Sequence, residues 1–357
     1  MRHSVVSLLP FAPEELAQLA RLRYVTDEQP GFTRRRNGSG VIYLTSRGRR
    51  VRDSRVAQRI DALAIPPAWS DVWICRYVDG HLQATGRDDR LRKQYIYHDR
   101  WREFANLAKF LRLRQCLDFL PALRETIAAD VRAPGLTGRR VLAGMVAILD
   151  ITSIRVGNEE YARENGSYGL ASLRKRHVKF ERGKVRLRFR GKGGVVRDAT
   201  ISQKPLVRLL KELKRLKGVH VFQYRDEARI LRQADAVMVN DYLRERSGHA
   251  FTAKDFRIWK ASAIAAGMFY QHRDLPHMTE RKRIIKQAVA QAAAALGNTP
   301  TICRKYYIHT GLLDTFENGT FPQFLQRCSP RLQRRLSNDE AVLARFLKHW
   351  EPSQSVA

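Results

Sequence analysis

Paired cysteines, nucleotide-binding loops and membrane-length apolar runs are all missing from this chain, and each absence removes a class of function. The four cysteines (Cys75, Cys116, Cys303, Cys328) are scattered, without a CxxC pair or a histidine cluster at metal-ligand spacing. Neither a disulfide framework nor a metal site is indicated. No GxxxxGK[ST] occurs, and the glycine-rich "RGKGG" lacks the hydroxyl and the spacing of one, which argues against a nucleotide-driven motor. The longest stretches without formal charge, "ASAIAAGMFYQH" from Ala261 and "QAVAQAAAALGNTPTIC" from Gln287, are too short or too polar to span a bilayer. The opening "MRHSVVSLLPFAPEE" has an apolar patch broken by Pro10 and Pro13 and followed by acids, a poor signal peptide. A soluble, intracellular protein is expected.

Acidic residues are scarce as well: 35 Asp and Glu stand against 66 Lys and Arg, a formal charge of +31. Such an excess repels itself, so a polyanion is the expected partner, and nucleic acid is the commonest large one. A cytoplasmic, nucleoid-associated location is expected. With 357 residues, 44% of them apolar, the chain is long enough for two domains with real cores.

Two textures divide it. From about Arg21 to Arg102, short apolar runs alternate with turn signals: Asn37-Gly38 in "RRRNGSGVIYL", two prolines in "IPPAW", Asp79-Gly80 in "WICRYVDGHLQATG". Asn-Gly and Asp-Gly between apolar runs signal hairpins, so a small β-rich domain is expected. From "WREFANLAKFLRLRQCLDFL" onward the period becomes helical, with a boundary near residues 102 to 112. A helix is predicted over "RRVLAGMVAILDITSIRVGNEEYARE" and a β meander over "HVKFERGKVRLRFRGKGGVVRDATI", with helices to about Phe316. The Arg-rich tail from Glu317, with Pro322 and Pro330, has helical pattern only near its end. The expected fold class is α+β, divided into an N-terminal lead (1–20), a β-rich domain (21–105), a mainly helical domain containing the meander (106–316) and a basic tail (317–357).

Some charges sit where charge is costly. Val141, Met145, Ile148 and Thr152 trace one helix stripe, and Arg155 falls seven residues after Ile148 on that face. A guanidinium there needs an anionic partner; an ion pair with an acid such as Glu159 would satisfy it. Arg257, flanked by Phe256, Ile258 and Trp259, is drawn into an apolar setting too, with Asp255 as a possible counter-charge. Lys192 stands in the turn of "RFRGKGG", between strands whose apolar members (Val185, Leu187, Phe189, then Val195, Val196) alternate with arginines. Its glycines allow a close backbone approach to a groove.

Near the end of the helical region, "TICRKYYIHTGLL" sets Tyr306 beside Tyr307. Thr299 and Pro300 form an N-cap and first-turn pair, and Gly297 stops the alanine-rich helix before them. Ile302, Tyr306, His309 and Leu313 recur at helical spacing, so phase assigns Tyr306 to packing. Tyr307, rotated by about 100°, is left free.

The ordered set of Arg155, the Gly-Lys turn at Lys192, the KxxR from Lys254 to Arg257, and "GNTPTICRKYY" resembles the type IB DNA topoisomerases in their small poxvirus-like and bacterial form. The resemblance covers residues 21 to 316. It implies a clamp around duplex DNA, with Arg155, Lys192 and Arg257 as the catalytic basic residues and Tyr307 as nucleophile. Asn298 falls where many members carry histidine, and is assigned hydrogen bonding only. "RKQYIYHDR" resembles the family's DNA-clamp segment, placing Gln94, Tyr95 and Tyr97 at DNA contacts, with Lys254 as a further one.

The implied chemistry is relaxation of supercoiled DNA through a 3′-phosphotyrosyl intermediate, strand rotation and religation, by a monomer without cofactor, metal or ATP. Two guanidiniums can bind the non-bridging oxygens, and Lys192 is the candidate acid for the leaving 5′ oxygen. A site-specific tyrosine recombinase shares most of this set but usually shows HxxR in place of "KDFR". A non-enzymatic basic DNA-binding protein fits the charge and leaves the ordered set unexplained.

Overall fold

Both hairpin signals of the first hundred residues sit between paired strands. The computed structural model describes residues 13–37, 40–326 and 336–351; Pro10, Cys328 and Pro330 lie outside them. The strands β1 (Phe32–Asn37), β2 (Gly40–Leu44), β3 (Ser70–Ile74), β4 (Leu82–Arg87) and β5 (Lys93–Tyr97) form an antiparallel sheet in the order β2-β1-β3-β4-β5. Asn37 pairs with Gly40, and the two residues between them fall outside the described set. In the β3–β4 connection, the Gln83 amide donates to the carbonyls of Tyr77, Val78 and Gly80 at 3.3, 3.1 and 2.7 Å. A Cβ on Gly80 would lie 2.5 Å from Cys75 Sγ, so this tight turn requires glycine. Helix α1 (Pro13–Leu19) precedes the sheet and α2 (Ser54–Ala62), capped by Asp53, packs Ile60 against Val72, Ile74 and Ala84.

The chain divides into two compact units, Met1–Leu111 and Arg112–Ala357, and the division falls inside the 34-residue helix α3 (Asp99–Arg132). The second unit continues with α4 (Gly138–Thr152) and α5 (Glu159–Asn165). The expected meander follows: β6 (Val178–Glu181), β7 (Lys184–Arg190) and β8 (Val196–Ile201), antiparallel in chain order. Then come α6 (Lys204–Lys214), a ribbon of β9 (Gln223–Arg225) and β10 (Leu231–Gln233), α7 (Ala236–Ser247), α8 (Ala253–Gln271) and α9 (Met278–Leu296). Helices α10 (Pro300–Tyr306), α11 (Thr310–Glu317) and α12 (Asn338–His349) complete it. A small sheet region followed by a helical region with a meander is α+β.

Helix α8 is the spine of the second unit. Phe256, Ile258, Trp259 and Phe269 are buried along it, and its small residues let α12 approach closely: a Cβ on Gly267 would lie 2.1 Å from Asp339 Oδ1. Buried Glu340 of α12 accepts from Trp259 Nε1 and from Arg124 Nη2, both at 2.7 Å, while Arg124 Nε donates to Asp150 Oδ2 at 2.8 Å. One charge network thus ties α3, α4, α8 and α12, and removing a single member of such a network costs about 3–5 kcal/mol.

The single helix expected over 139–164 is broken in two. Thr152 Oγ1 bonds back to the Ile148 carbonyl at 2.6 Å, and Ser153 turns left-handed (φ 55) to cap α4. Arg155 therefore lies in the loop after α4 and not on its apolar stripe. The loop is held by backbone bonds from Leu170 and Ala171 to the carbonyls of Arg155 and Val156 (3.0 and 2.8 Å). A Cβ on Gly157 (φ +71) would lie 2.8 Å from Gly169 Cα, so the backbones cross there only with glycine. Val195 and Val196, expected among the apolar strand members, are exposed because they lie at the hairpin's turn end.

Candidate active site

Helices α4 and α9 both end in left-handed residues, Ser153 and Gly297 (φ 60), which leaves their last carbonyls without helical partners. Three arginines take them. Arg257 Nη1 donates to the Ser153 carbonyl and its Nη2 to that of Leu296 at 3.1 Å. Arg197 Nη2, from β8, donates to the carbonyls of Thr152 and Ala295 at 3.1 and 3.0 Å. Arg155 Nη1 reaches the Gly297 carbonyl at 3.5 Å, and its Nη2 donates to Asn298 Oδ1. The partial negative charge at two helix C-termini stabilises these cations.

The acids that the sequence offers as counter-charges are engaged elsewhere. Glu159 pairs with Arg174 at 3.4 Å and faces His220, and Asp255 closes a capping box with Thr252 N and Oγ1 at 2.9 and 2.6 Å. Among the described residues, neither Arg155 nor Arg257 forms an ion pair with a carboxylate. Arg257 is only 3% exposed, and burial, followed by the charge of Arg155, brings its guanidinium down to about 10. A pair of uncompensated guanidiniums is costly to hold, and an anion added between them would relieve that cost.

Asn298 and Tyr307 complete the cluster. Asn298 Oδ1 accepts from Arg257 Nη2 at 3.3 Å as well as from Arg155, which directs the amide nitrogen away from them; Nδ2 is buried without a partner. The Arg257 guanidinium lies 5.3 Å from the Tyr307 ring centroid. Burial pushes the Tyr307 phenol up, but the charges of Arg257 and Arg155, a hydrogen bond with Arg257 and the charge of Lys254 outweigh it and hold the phenol below its ordinary value. Buried Ser262 of α8 donates to the Tyr307 carbonyl at 3.3 Å and accepts from His309 N at 3.0 Å, which fixes the backbone on either side.

Helix α10 begins at Thr299 and Pro300, as its cap signal implies, and α9 stops at Gly297. The phase argument for the tyrosines fails, however. Helix α10 ends at Tyr306, Tyr307 leaves helical geometry (φ −124), and His309 caps a second helix, so the stripe through Ile302, Tyr306, His309 and Leu313 runs across two helices. Ile302 and Tyr306 are 43% and 38% exposed, whereas Cys303 is fully buried and Tyr307 half-buried. Tyr307 is thus on the inward side, among the arginines, and Tyr306 faces out.

Lys192 is not brought into this cluster. It begins a one-turn 3-10 segment between β7 and β8, followed by Gly193 and Gly194 (φ 73 and 78), and its ammonium lies 6.0 Å from the Tyr161 ring centroid on an exposed tip. Lys254, exposed in the first turn of α8, is near enough to Tyr307 to act on its phenol. In the first unit, Gln94 donates to Asp88 Oδ2 at 2.9 Å, and the rings of Tyr95 and Tyr97 stack with centroids 5.9 Å apart.

Sequence reasoning missed Arg197. Its signal was phase: in β8 it stands in phase with Ala199 and Ile201, so it lies on the strand face that turns inward. Among the described residues no three His, Cys, Asp or Glu are grouped so that they could hold a metal ion, and no helix is long and apolar enough to cross a membrane.

Residues 98–319 match the family model of the catalytic core of eukaryotic DNA topoisomerase I. The chain belongs to that family of DNA topoisomerases, and so is an isomerase. Its branch is type IB. Residues 40–88 match the N-terminal domain of bacterial DNA topoisomerase IB. The chain is also 33% identical, over 82% of its length and 89% of the relative's, to DNA topoisomerase 1B of Acanthamoeba polyphaga mimivirus. DNA topoisomerase 1B of vaccinia virus (strain Copenhagen) is 20% identical over 66% of this chain and 73% of its own. DNA topoisomerase 1 of rabbit fibroma virus (strain Kasza) is 21% identical over 68% and 77%.

Proposed function

We propose that this chain relaxes supercoiled duplex DNA by cutting one strand through Tyr307, letting it rotate, and resealing it. The observation that carries the reading is the group of carboxylate-free guanidiniums, Arg155 and Arg257, gathered with Asn298, whose Nδ2 is buried without a partner, around a half-buried phenol. A phosphodiester supplies the anion that such a group lacks. The Tyr307 phenol, having lost its proton to solvent, attacks the scissile phosphorus as the anion that Arg257 and Arg155 favour, and the bond from phosphorus to the 5′ oxygen breaks. Charge building on the non-bridging oxygens is met by Arg155, Arg257 and Asn298 Nδ2. Lys192, carried on its hairpin tip to the DNA, gives its proton to the departing 5′ oxygen and recovers it on religation.

The 3′-phosphotyrosyl bond retains the energy of the bond it replaced, so the reverse attack needs no ATP, and the guanidiniums supply the positive charge without a metal. Lys254 and, in the first unit, Gln94, Tyr95 and Tyr97 are assigned to the duplex near the cut. A monomer suffices, in a nucleoid-associated, cytoplasmic setting. The test is relaxation of a negatively supercoiled plasmid without any special site, by purified chain in EDTA without ATP. Complete relaxation, with covalently linked 3′ ends after denaturant quench, is expected. Strict dependence on ATP, on a divalent metal or on a paired recombination site would overturn the reading.

Lys192→Ala is expected to slow cleavage of ordinary DNA by about 10²-fold, the lower end for general acid catalysis because the exposed tip admits water as a substitute. A 5′ sulfur in place of the bridging oxygen leaves without a proton, so the variant should cut that substrate at nearly the wild-type rate. Equal slowing on both substrates would remove Lys192 from the acid role.

A further inference from the structure

The three arginines that staple α4 to α9 reach the node from different elements. Arg155 comes from the loop after α4 and Arg257 from α8, both in the proposed phosphate site, whereas Arg197 comes from β8, five residues beyond Lys192. Its carbonyl partners, Thr152 and Ala295, each stand one residue before the pair that Arg257 takes, Ser153 and Leu296. The two side chains form successive rungs of one ladder.

Among the described residues, the tip side has besides this only light contacts, such as the Lys192 ammonium 6.0 Å from the Tyr161 ring centroid. Lys192, Gly193, Val195 and Val196 are exposed, and the closing contacts, Gly191 N to Val195 O at 2.8 Å and Gly194 N to Gly191 O at 3.1 Å, lie within the turn itself. The last cross-strand pair with an inward face is Phe189 and Arg197, supplemented by the bond from Tyr168 N to the Arg190 carbonyl at 2.7 Å. Arg197 also packs against both ends of the connection. A Cβ on Gly191 would lie 3.1 Å from its Cγ, and one on Gly297 would lie 2.5 Å from its Nη1.

We infer that Arg197 is a positioning residue that sets the Lys192 hairpin against the helix-end node, so that the lysine on the tip and the arginines of the node meet the same phosphate. This rests on the proposed reaction, in which Lys192 protonates the leaving oxygen. Arg197 touches no substrate; it acts through Lys192. Misplacing a reacting group by about 1 Å can cost about 10²-fold in rate.

The test is single-turnover cleavage by Arg197→Ala, Arg197→Lys, Lys192→Ala and the Lys192→Ala, Arg197→Ala double variant, each on oxygen-bridged and 5′-sulfur-bridged DNA. Arg197→Ala should be about 10- to 100-fold slow on oxygen and near wild type on sulfur. The double variant should be no slower on oxygen than Lys192→Ala alone, because both changes remove one function. Arg197→Lys, which keeps the charge but ends one bond short of the Nη2 position that serves both carbonyls, should fall between and follow the same oxygen-to-sulfur pattern. That variant carries the test if Arg197→Ala does not fold. Equal slowing by Arg197 variants on both substrates, additive losses in the double variant, or an unchanged rate would overturn the inference. If Lys192→Ala itself is not rescued by sulfur, the acid assignment fails, and the positioning role with it; rescue of Lys192→Ala alone sinks only the role of Arg197.

Discussion

Tyr307→Phe is expected to abolish plasmid relaxation and every covalent adduct trapped by denaturant, while duplex binding stays within a few-fold of wild type. The substitution removes one oxygen and nothing else from a half-buried ring beneath Arg257. Without that oxygen no phosphoester can form, and no neighbour replaces it: Cys303 is buried, and burial pushes its thiol up to about 11 despite Arg257, far from the thiolate an attack requires. Binding survives because the formal charge of +31 is untouched and phosphate contacts dominate affinity. Tyr306→Phe should leave relaxation within about tenfold of wild type, because its ring is 38% exposed at the end of α10 and the phenol on which Arg257 and Arg155 act is that of Tyr307. The reverse pattern, with Tyr306→Phe inactive and Tyr307→Phe active, would give the nucleophile to Tyr306.

The same pair of tyrosines shows how far the sequence could be read. Residue type and order singled out Tyr307, but the supporting helical phase was wrong, since a register is meaningful only within one helix and α10 stops at Tyr306. Caps and turns were legible because they are local: Thr299-Pro300, Gly297, the strand pairs around Asn37 and Gly80, and the meander all stand where their signals lie. What was not legible is the meeting of α4 and α9. Carbonyls near residue 153 and near residue 296 become neighbours only through tertiary packing, so nothing at Arg155 or Arg257 says that its partner is a peptide group and not Glu159 or Asp255. A periodic stripe likewise cannot announce that Ser153 will turn left-handed and move Arg155 off the helix. Arg197 could have been caught as a charge in phase with Ala199 and Ile201, had alternation been followed through the turn.

Arg257→Ala should be the most damaging of the basic-residue substitutions, slowing cleavage at neutral pH by about 10³-fold or more. One guanidinium holds two helix-end carbonyls and Asn298 Oδ1, and it is the strongest influence lowering the Tyr307 phenol. Loss of a preorganised donor to the transition-state oxygens accounts for about 10²- to 10³-fold by itself. The rest comes from the nucleophile. With Arg257 gone, burial still pushes the phenol up while the leading opposing charge is missing, so its anion becomes scarcer at neutral pH and the pH–rate profile for single-turnover cleavage should move to higher pH. Arg155→Ala, whose charge stands behind that of Arg257 at the phenol, should lose about 10²-fold with a smaller displacement of the profile. Arg257→Lys separates charge from geometry: it should recover most of the pH displacement but little of the rate, because an ammonium cannot bridge Ser153, Leu296 and Asn298 together. Melting measured on each variant identifies any loss due to unfolding, since the two abandoned carbonyls cost about 1–3 kcal/mol each. A folded Arg257→Ala that cuts at nearly the wild-type rate, or slows without any alkaline displacement, would return Arg257 to a purely structural clasp between α4 and α9.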